Sequence, residues 1–394
     1  MRHGCMGLLD DLRISYKPLA GFLVIGGAWA AFFAQMPVIK AAIGASDGVY
    51  GAVVLLASLG ALAAMWLAPL ADRFAGRWAT PGASIVVATG MLIAAGSADL
   101  IVFALGMTLA AIGSGVVDVL VNVRVSEREE QVGRPLMNLN HAMYSFAYAG
   151  TALLTGLLRE LAWTPAEVFL AFGGIVCVLA VIMLEKRTTI LPVAEPGKAV
   201  ALPTGLIWLG GGLVLVAFLT EASSEGWSAL HLERTLGGGP AEGALGPAIL
   251  GLTMGIGRLA GHVMSSRLPE LPLMVAASLT AAAGLMIAGA APGLIIAYAG
   301  FGLAGLGVSV IAPLALAQVG RVVPAHKRLA AISRVSVMGY GAFFIGPPLM
   351  GFTSEILGLR AGFFLVGGIM VFAALVLVPG LGRTVRSLQD AGRD

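Results

Sequence analysis

Twelve apolar runs, each long enough to cross a bilayer as a single helix, govern what this chain can become. A hydrocarbon core about 30 Å thick needs about 20 apolar residues per helix. The runs fall at 18–39, 49–71, 80–97, 100–124, 136–158, 165–184, 205–228, 243–264, 271–290, 293–318, 331–352 and 360–380. In oil every backbone N–H and C=O must find a partner inside the protein, which leaves helices or a closed barrel. No set of short segments alternates polar and apolar residues, so a barrel is set aside. The expectation is an all-α integral membrane protein with 12 transmembrane helices. The fourth and tenth runs are long enough to tilt. The first lacks a small-residue cleavage site before polar sequence, so it reads as a retained helix and not a removed signal peptide.

Composition agrees. Of 394 residues, 58% are hydrophobic and 11% charged, and the mean hydropathy is +0.93. A soluble domain carries about 25% charged residues, so a water-soluble enzyme lacks the surface it would need. The 55 glycines and 19 prolines lie mostly within apolar runs, where close helix packing accommodates Gly and neighbouring helices cover Pro kinks. Cys5 and Cys177 offer no disulfide framework and no zinc spacing. There is no GxxxxGK[ST], HExxH, paired CxxC or nucleophile elbow. Run 305–309, GLGVS, follows no strand and reads as helix packing. No metal, cofactor, nucleic-acid partner or enzymatic activity is expected.

An even number of crossings puts both termini on one side. Of the 24 Lys and Arg residues, 20 then fall on the side of the termini, and only Lys40, Arg159, Arg234 and Arg360 fall on the other. The positive-inside rule assigns the richer side, and both termini, to the cytoplasm. The longest polar interval, 185–204, contains Pro192, Pro196 and Pro203 and divides the runs six and six. The domains expected are therefore a bundle over 1–185, a cytoplasmic linker over 186–204 and a second bundle over 205–394. The halves echo each other: LAPLADRFAGR closes the second run at 67–77 and GRLAGHVMSSR closes the eighth at 257–267. A repeat at six-helix spacing is the pattern of two-bundle secondary transporters.

With the motif ADRFAGR at 71–77, its altered copy and the six–linker–six plan, the chain resembles the major facilitator superfamily over nearly its whole length. Residues 118–150 and 221–237 further resemble the bacterial fucose-permease-like, sugar-permease-like members. The resemblance implies two pseudo-symmetric six-helix bundles that expose a shared solute site alternately to either side. It implies a cytoplasmic gate at Asp72, Arg73 and Arg77. Gly261 stands where the second copy would carry its acid, which argues against a symmetrical second latch. The Gly-Pro pattern of the drug–proton antiporters is missing from Gly150–Gly156.

An ionisable residue inside a span costs about 2.5–3.5 kcal/mol on insertion scales and so needs a reason. Asp118 is the deepest. Ser114, Asp118 and Asn122 recur every four residues and share a helix face. Asp118 is either a proton-exchanging or solute-contacting acid, or a structural acid that locks helices. His141 lies at a similar depth on the fifth run, in a stripe with Tyr144, Ser145 and Tyr148, and is either its proton partner or a packing residue. On the seventh run Glu221, Ser224, Glu225 and Ser228 share a face; Glu221 reads as a cavity acid and Glu225 as a mouth residue. Trp29 and Gln35 on the first run and Tyr340 on the eleventh are candidate solute contacts. Arg258 and Arg334, near cytoplasmic helix ends, read either as snorkelling or as gate-pairing residues, and the charged segment 126–134 reads as a solvated loop or as a latch between bundles.

These residues point to a secondary active transporter of a small polar organic solute, sugar-like or an organic acid. It would be coupled to protons through Asp118, His141 and Glu221, with solute contacts from Trp29, Gln35, Ser114, Asn122, Tyr144, Ser145, Tyr148, Glu225 and Tyr340. It would act as a monomer in the cytoplasmic (inner) membrane. The alternatives are a proton-driven exporter of amphipathic molecules, for which 16 methionines would line a forgiving pocket, and a membrane solute receptor or scaffold that moves nothing.

Overall fold

The structure, a computed structural model, describes residues 8–185, 202–264 and 269–391. The expected linker lies outside these residues apart from 202–204, and so does part of the second motif copy at 257–267. Over the described residues the chain divides into two compact units, 8–45 with 56–185 and 46–55 with 202–391.

The first unit holds α1 (Leu8–Ala42), most of α2 (Asp47–Ala75), α3 (Ala79–Ala95), α4 (Leu100–Val132), α5 (Met137–Glu160) and α6 (Pro165–Ile182). Their ends follow the local sequence. Asp99 caps α4 by accepting from the backbone N–H groups of Ile101 and Val102 at 2.8 and 3.0 Å, and Gly133 closes it in the left-handed conformation with φ 66°. Thr164 and Glu167 cap α6 reciprocally, with Pro165 in its first turn. Packing depends on small residues. A Cβ added at Gly90 would lie 2.4 Å from the Ala110 nitrogen, so α3 and α4 meet backbone to backbone. Further along α4, Val116 and Leu120 close a cluster with Ala64 and Ala68 of α2 and Ala79 at the start of α3.

The second unit is built around α7 (Thr204–Leu230), which continues through a wider helical turn to Thr235. Around it stand α8 (Pro240–Met264), α9 (Glu270–Ala290), α10 (Leu294–Val308), α11 (Ile311–Val322), α12 (Ala325–Tyr340), α13 (Ala342–Leu357), α14 (Leu359–Phe372) and α15 (Val378–Ala391). The first turns of α2 belong here. Tyr50 packs edge-on against Trp227 at 5.7 Å, and a Cβ at Gly51 would lie 2.4 Å from the Pro347 carbonyl oxygen.

By length and composition ten helical stretches can cross a membrane. One of them, Asp47–Ala95, contains both α2 and α3. Helix α5, 24 residues long, is too polar to be counted, because it carries Asn138, Asn140, His141 and Tyr144. Dividing the first and admitting the second gives the twelve-helix plan.

Three expectations about the elements are corrected. The tenth and eleventh runs are each interrupted, at 309–310 and at Gly341, and the twelfth continues through the wider helical turn Ala373–Leu377 into α15. Helix α13 then carries Pro347 and Pro348 inside it, so the carbonyls of Phe343 and Phe344 lack their usual helical donors. The charged segment 126–134 is not a loop, because α4 continues to Val132. The reason is that its charges find partners, as described below. Helix α1 begins at Leu8, ten residues before its apolar run.

Candidate functional site

The polar residues of α1, α4 and α5 meet along one seam of the first unit. Trp29 Nε1 donates to Ser114 Oγ at 3.0 Å, fixing α1 against α4. One turn further on, Asn122 Nδ2 donates to Asp118 twice, to its backbone oxygen at 2.8 Å and to Oδ1 at 3.0 Å. Asn122 Oδ1 in turn faces His141 Nε2 at 3.2 Å. With the amide so placed, the imidazole donates through Nε2. The three side chains form a directional chain, His141 to Asn122 to Asp118. Among the described residues Asp118 makes no ion pair, and it keeps partial exposure.

The surroundings hold this chain in place. The His141 ring lies edge-on to buried Phe22, centroids 5.0 Å apart. Gly26 admits Tyr144, since a Cβ there would lie 2.8 Å from its backbone oxygen. Tyr144 and Tyr148 pack at 6.3 Å, Tyr148 being wholly buried. Ser145 is buried and donates to the His141 carbonyl at 3.1 Å. Trp29 stacks on Phe33 at 5.6 Å. Gln35 does not join the seam. It is buried, its Nε2 donates to the Ala31 carbonyl at 3.0 Å, and its Oε1 meets no partner among the described residues.

The second unit carries a separate charged group. Arg258 reaches Glu221 at 3.3 Å, both half-buried. Of the two readings of Arg258 the snorkelling one is corrected, because its guanidinium turns to a carboxylate on α7. Glu225, one turn on, is only 8% exposed, so it is not a mouth residue. Its charged neighbours are Glu221 and Arg258. Tyr340 is exposed and clusters with Phe218 and Phe343 at 6.0 and 6.3 Å.

The motif residues separate. Asp72 is buried, 1% exposed, and pairs with Arg124 of α4 at 2.9 Å. Arg73 and Arg77 are exposed and stand over the rings of Phe74 and Trp78 at 5.7 and 5.3 Å. Arg124 also meets Glu127 at 3.0 Å, and Arg128 meets Glu185 at 2.5 Å. This explains why the charged end of α4 stays helical. Sequence reasoning missed Arg124 as the partner of Asp72, although its position in a charged helix end was a signal.

It also missed a second buried acid. Asp47, 5% exposed, receives both terminal nitrogens of Arg234, at 2.8 and 2.5 Å, and the Ser354 hydroxyl at 2.5 Å. Glu355 accepts from Ser46 Oγ and the Gly48 N–H at 2.7 and 2.5 Å. No sequence pattern marks these pairings, which join residues some 190 to 310 positions apart.

An uncharacterized transporter of Sinorhizobium fredii is 30% identical over 374 residues, covering 91% of this chain and 95% of its own. The family profile described as Major Facilitator Superfamily matches residues 209–392. The chain belongs to the major facilitator superfamily. An uncharacterized MFS-type transporter of Yersinia pestis is 27% identical, covering 90% of this chain and 92% of the relative. Membrane protein MosC of Rhizobium meliloti is 25% identical, with 90% and 88% covered. Among solved structures, the D-xylose–proton symporter superposes with a TM-score of 0.72 at 14% identity, covering 94% of this chain and 97% of that one. The nucleoside transporter NupG gives 0.71 at 14%, covering 94% and 98%. As a superfamily member the protein is a multi-pass membrane transporter of solutes.

Proposed function

We propose that this protein is a proton-coupled secondary transporter of a small polar, sugar-like or organic-acid solute in the cytoplasmic membrane, acting as a monomer with both termini cytoplasmic. The observation that carries the reading is the hydrogen-bond chain Asp118–Asn122–His141. Asn122 cannot pass a proton, but its two ends differ. While Asp118 is charged it accepts from Nδ2, and Oδ1 is left for the His141 N–H. Once protonated, Asp118 offers its own O–H to the amide oxygen; the amide turns over and presents Nδ2 to His141, whose Nε2 must then accept, so the neutral imidazole changes to the tautomer that carries its proton on Nδ1. The proton on α4 is thereby reported to α5 as an orientation. Such a signal can bias two conformations differently, which coupling requires. The D-xylose–proton symporter, of the same fold, supports a polar solute. Trp29, Ser114, Tyr144, Ser145 and Tyr148 border the chain as its solute contacts, and Glu221 and Glu225 supply acids in the second unit.

The test is uptake into proteoliposomes under an imposed pH gradient, with sugars and organic acids screened beforehand by thermal shift. A true ligand at 100 times its Kd stabilises by about 2.7 kcal/mol. Asp118→Asn is expected to lose uphill accumulation and to keep counterflow exchange. Undiminished uphill uptake by that variant overturns the assignment.

A further inference from the structure

One cavity plays no part in this transport chemistry. It lies in the second unit between the start of α9 and the last helix, α15, with a volume of about 430 Å³. Leu271, Pro272 and Val275 line it from α9, and Pro379, Arg383 and Arg386 from α15. The helices are close here, since a Cβ at Gly382 would lie 2.7 Å from Leu271 Cδ1.

Polarity changes sharply along this groove. Phe372, Leu375 and Val376, just before α15, are bare apolar side chains at the surface. Helix α15 then buries Val378, Leu381 and Val385 and leaves Arg383 and Arg386, three residues apart, exposed. Among the described residues neither arginine makes an ion pair or hydrogen bond. Glu270, which begins α9, is already engaged by Arg321 and Gln318. Two uncompensated guanidinium groups therefore stand over an apolar trough, at the end of a helix that has just left the hydrocarbon.

A molecule that fits has a chain for the trough and an anion for the arginines. We infer that the groove holds one anionic phospholipid, its phosphate on Arg383 and Arg386 and an acyl chain against Leu271, Pro272, Val275 and Pro379. Guanidinium groups bind phosphate through two parallel N–H donors, and basic pockets between spans suit acidic headgroups.

Native mass spectrometry of the full chain, purified in detergent and stripped of lipid, tests this by titration with phosphatidylglycerol and phosphatidylcholine. The wild-type protein is expected to hold one phosphatidylglycerol with a preference of about 30-fold, the strength of two basic side chains beside an anionic surface. Arg383→Gln/Arg386→Gln is expected to bring that preference near unity; both sites are exposed, so the fold should survive, and melting in phosphatidylcholine checks that it does. Val275→Phe, which narrows the trough, is expected to weaken both lipids and keep the preference. Equal binding of the two lipids by the wild type, an unchanged preference in the double variant, or displacement of the lipid by soluble glycerol phosphate overturns the proposal.

Discussion

Asn122 holds the polar seam together without carrying a charge. It spends its donor on Asp118 and its acceptor on His141, so replacing it leaves two ionisable groups facing an apolar side chain. Asn122→Leu is expected to destabilise the protein by about 1–3 kcal/mol, the cost of stranded buried polar partners. His141→Phe should cost less once Asn122 is gone, because the two act as one unit. Thermal melts of both single variants and the double variant check this, and strictly additive losses would mean that the chain is not a unit. The sequence made much of this site legible. Asp118 and His141 stood out as expensive residues in oil, and four-residue spacing put Asn122 beside Asp118. That Asn122 lies between them depends on how α4 and α5 are rotated against each other, which no spacing within one helix reports. Asp47 was invisible because its partners Arg234 and Ser354 come from distant helix ends.

Helix pairs in this protein close on backbone, and the same closure occurs twice. In the first unit Gly90, Gly106 and Gly113 bring α3 and α4 together, and in the second unit Gly284, Gly300 and Gly307 do the same for α9 and α10. The displacement is 194 residues in each case, and the atoms that an added Cβ would strike correspond as well: the Ala110 nitrogen for Gly90, the Ala304 nitrogen for Gly284. Gly90→Ala and Gly284→Ala are expected to destabilise by about 1–3 kcal/mol through overpacking against rigid backbone. Gly82→Ala, where nothing lies within 4 Å, is expected to be neutral or to gain up to about 1 kcal/mol through helix propensity. Denaturation midpoints in one detergent would show the opposite signs. The runs of apolar residues located the cores of these helices, although several helices, α1, α4 and α15 among them, extend beyond their runs through charged sequence. They could not show the breaks in the later runs, because a helix that stops and restarts within oil keeps the same hydropathy.

At the scale of the whole molecule, the crossing number and the charge bias make one prediction together. With single cysteines introduced in place of Cys5 and Cys177, Ser97→Cys is expected to react with an impermeant thiol reagent from outside the cell, and Asp390→Cys only after the membrane is opened. The reverse pattern, or labelling of both from one side, would reject the topology. The sequence also showed a duplicated plan, through a motif at 67–77 and its copy at 257–267, although the glycine pairs are the stronger sign of it. Those pairs carry one more consequence. Counting on by the same 194 positions, Asp118 corresponds to Ala312 and Asn122 to Leu316. Duplication preserved the masonry and not the wiring, so the titrating group proposed at Asp118 has no twin at the matching position of the second half.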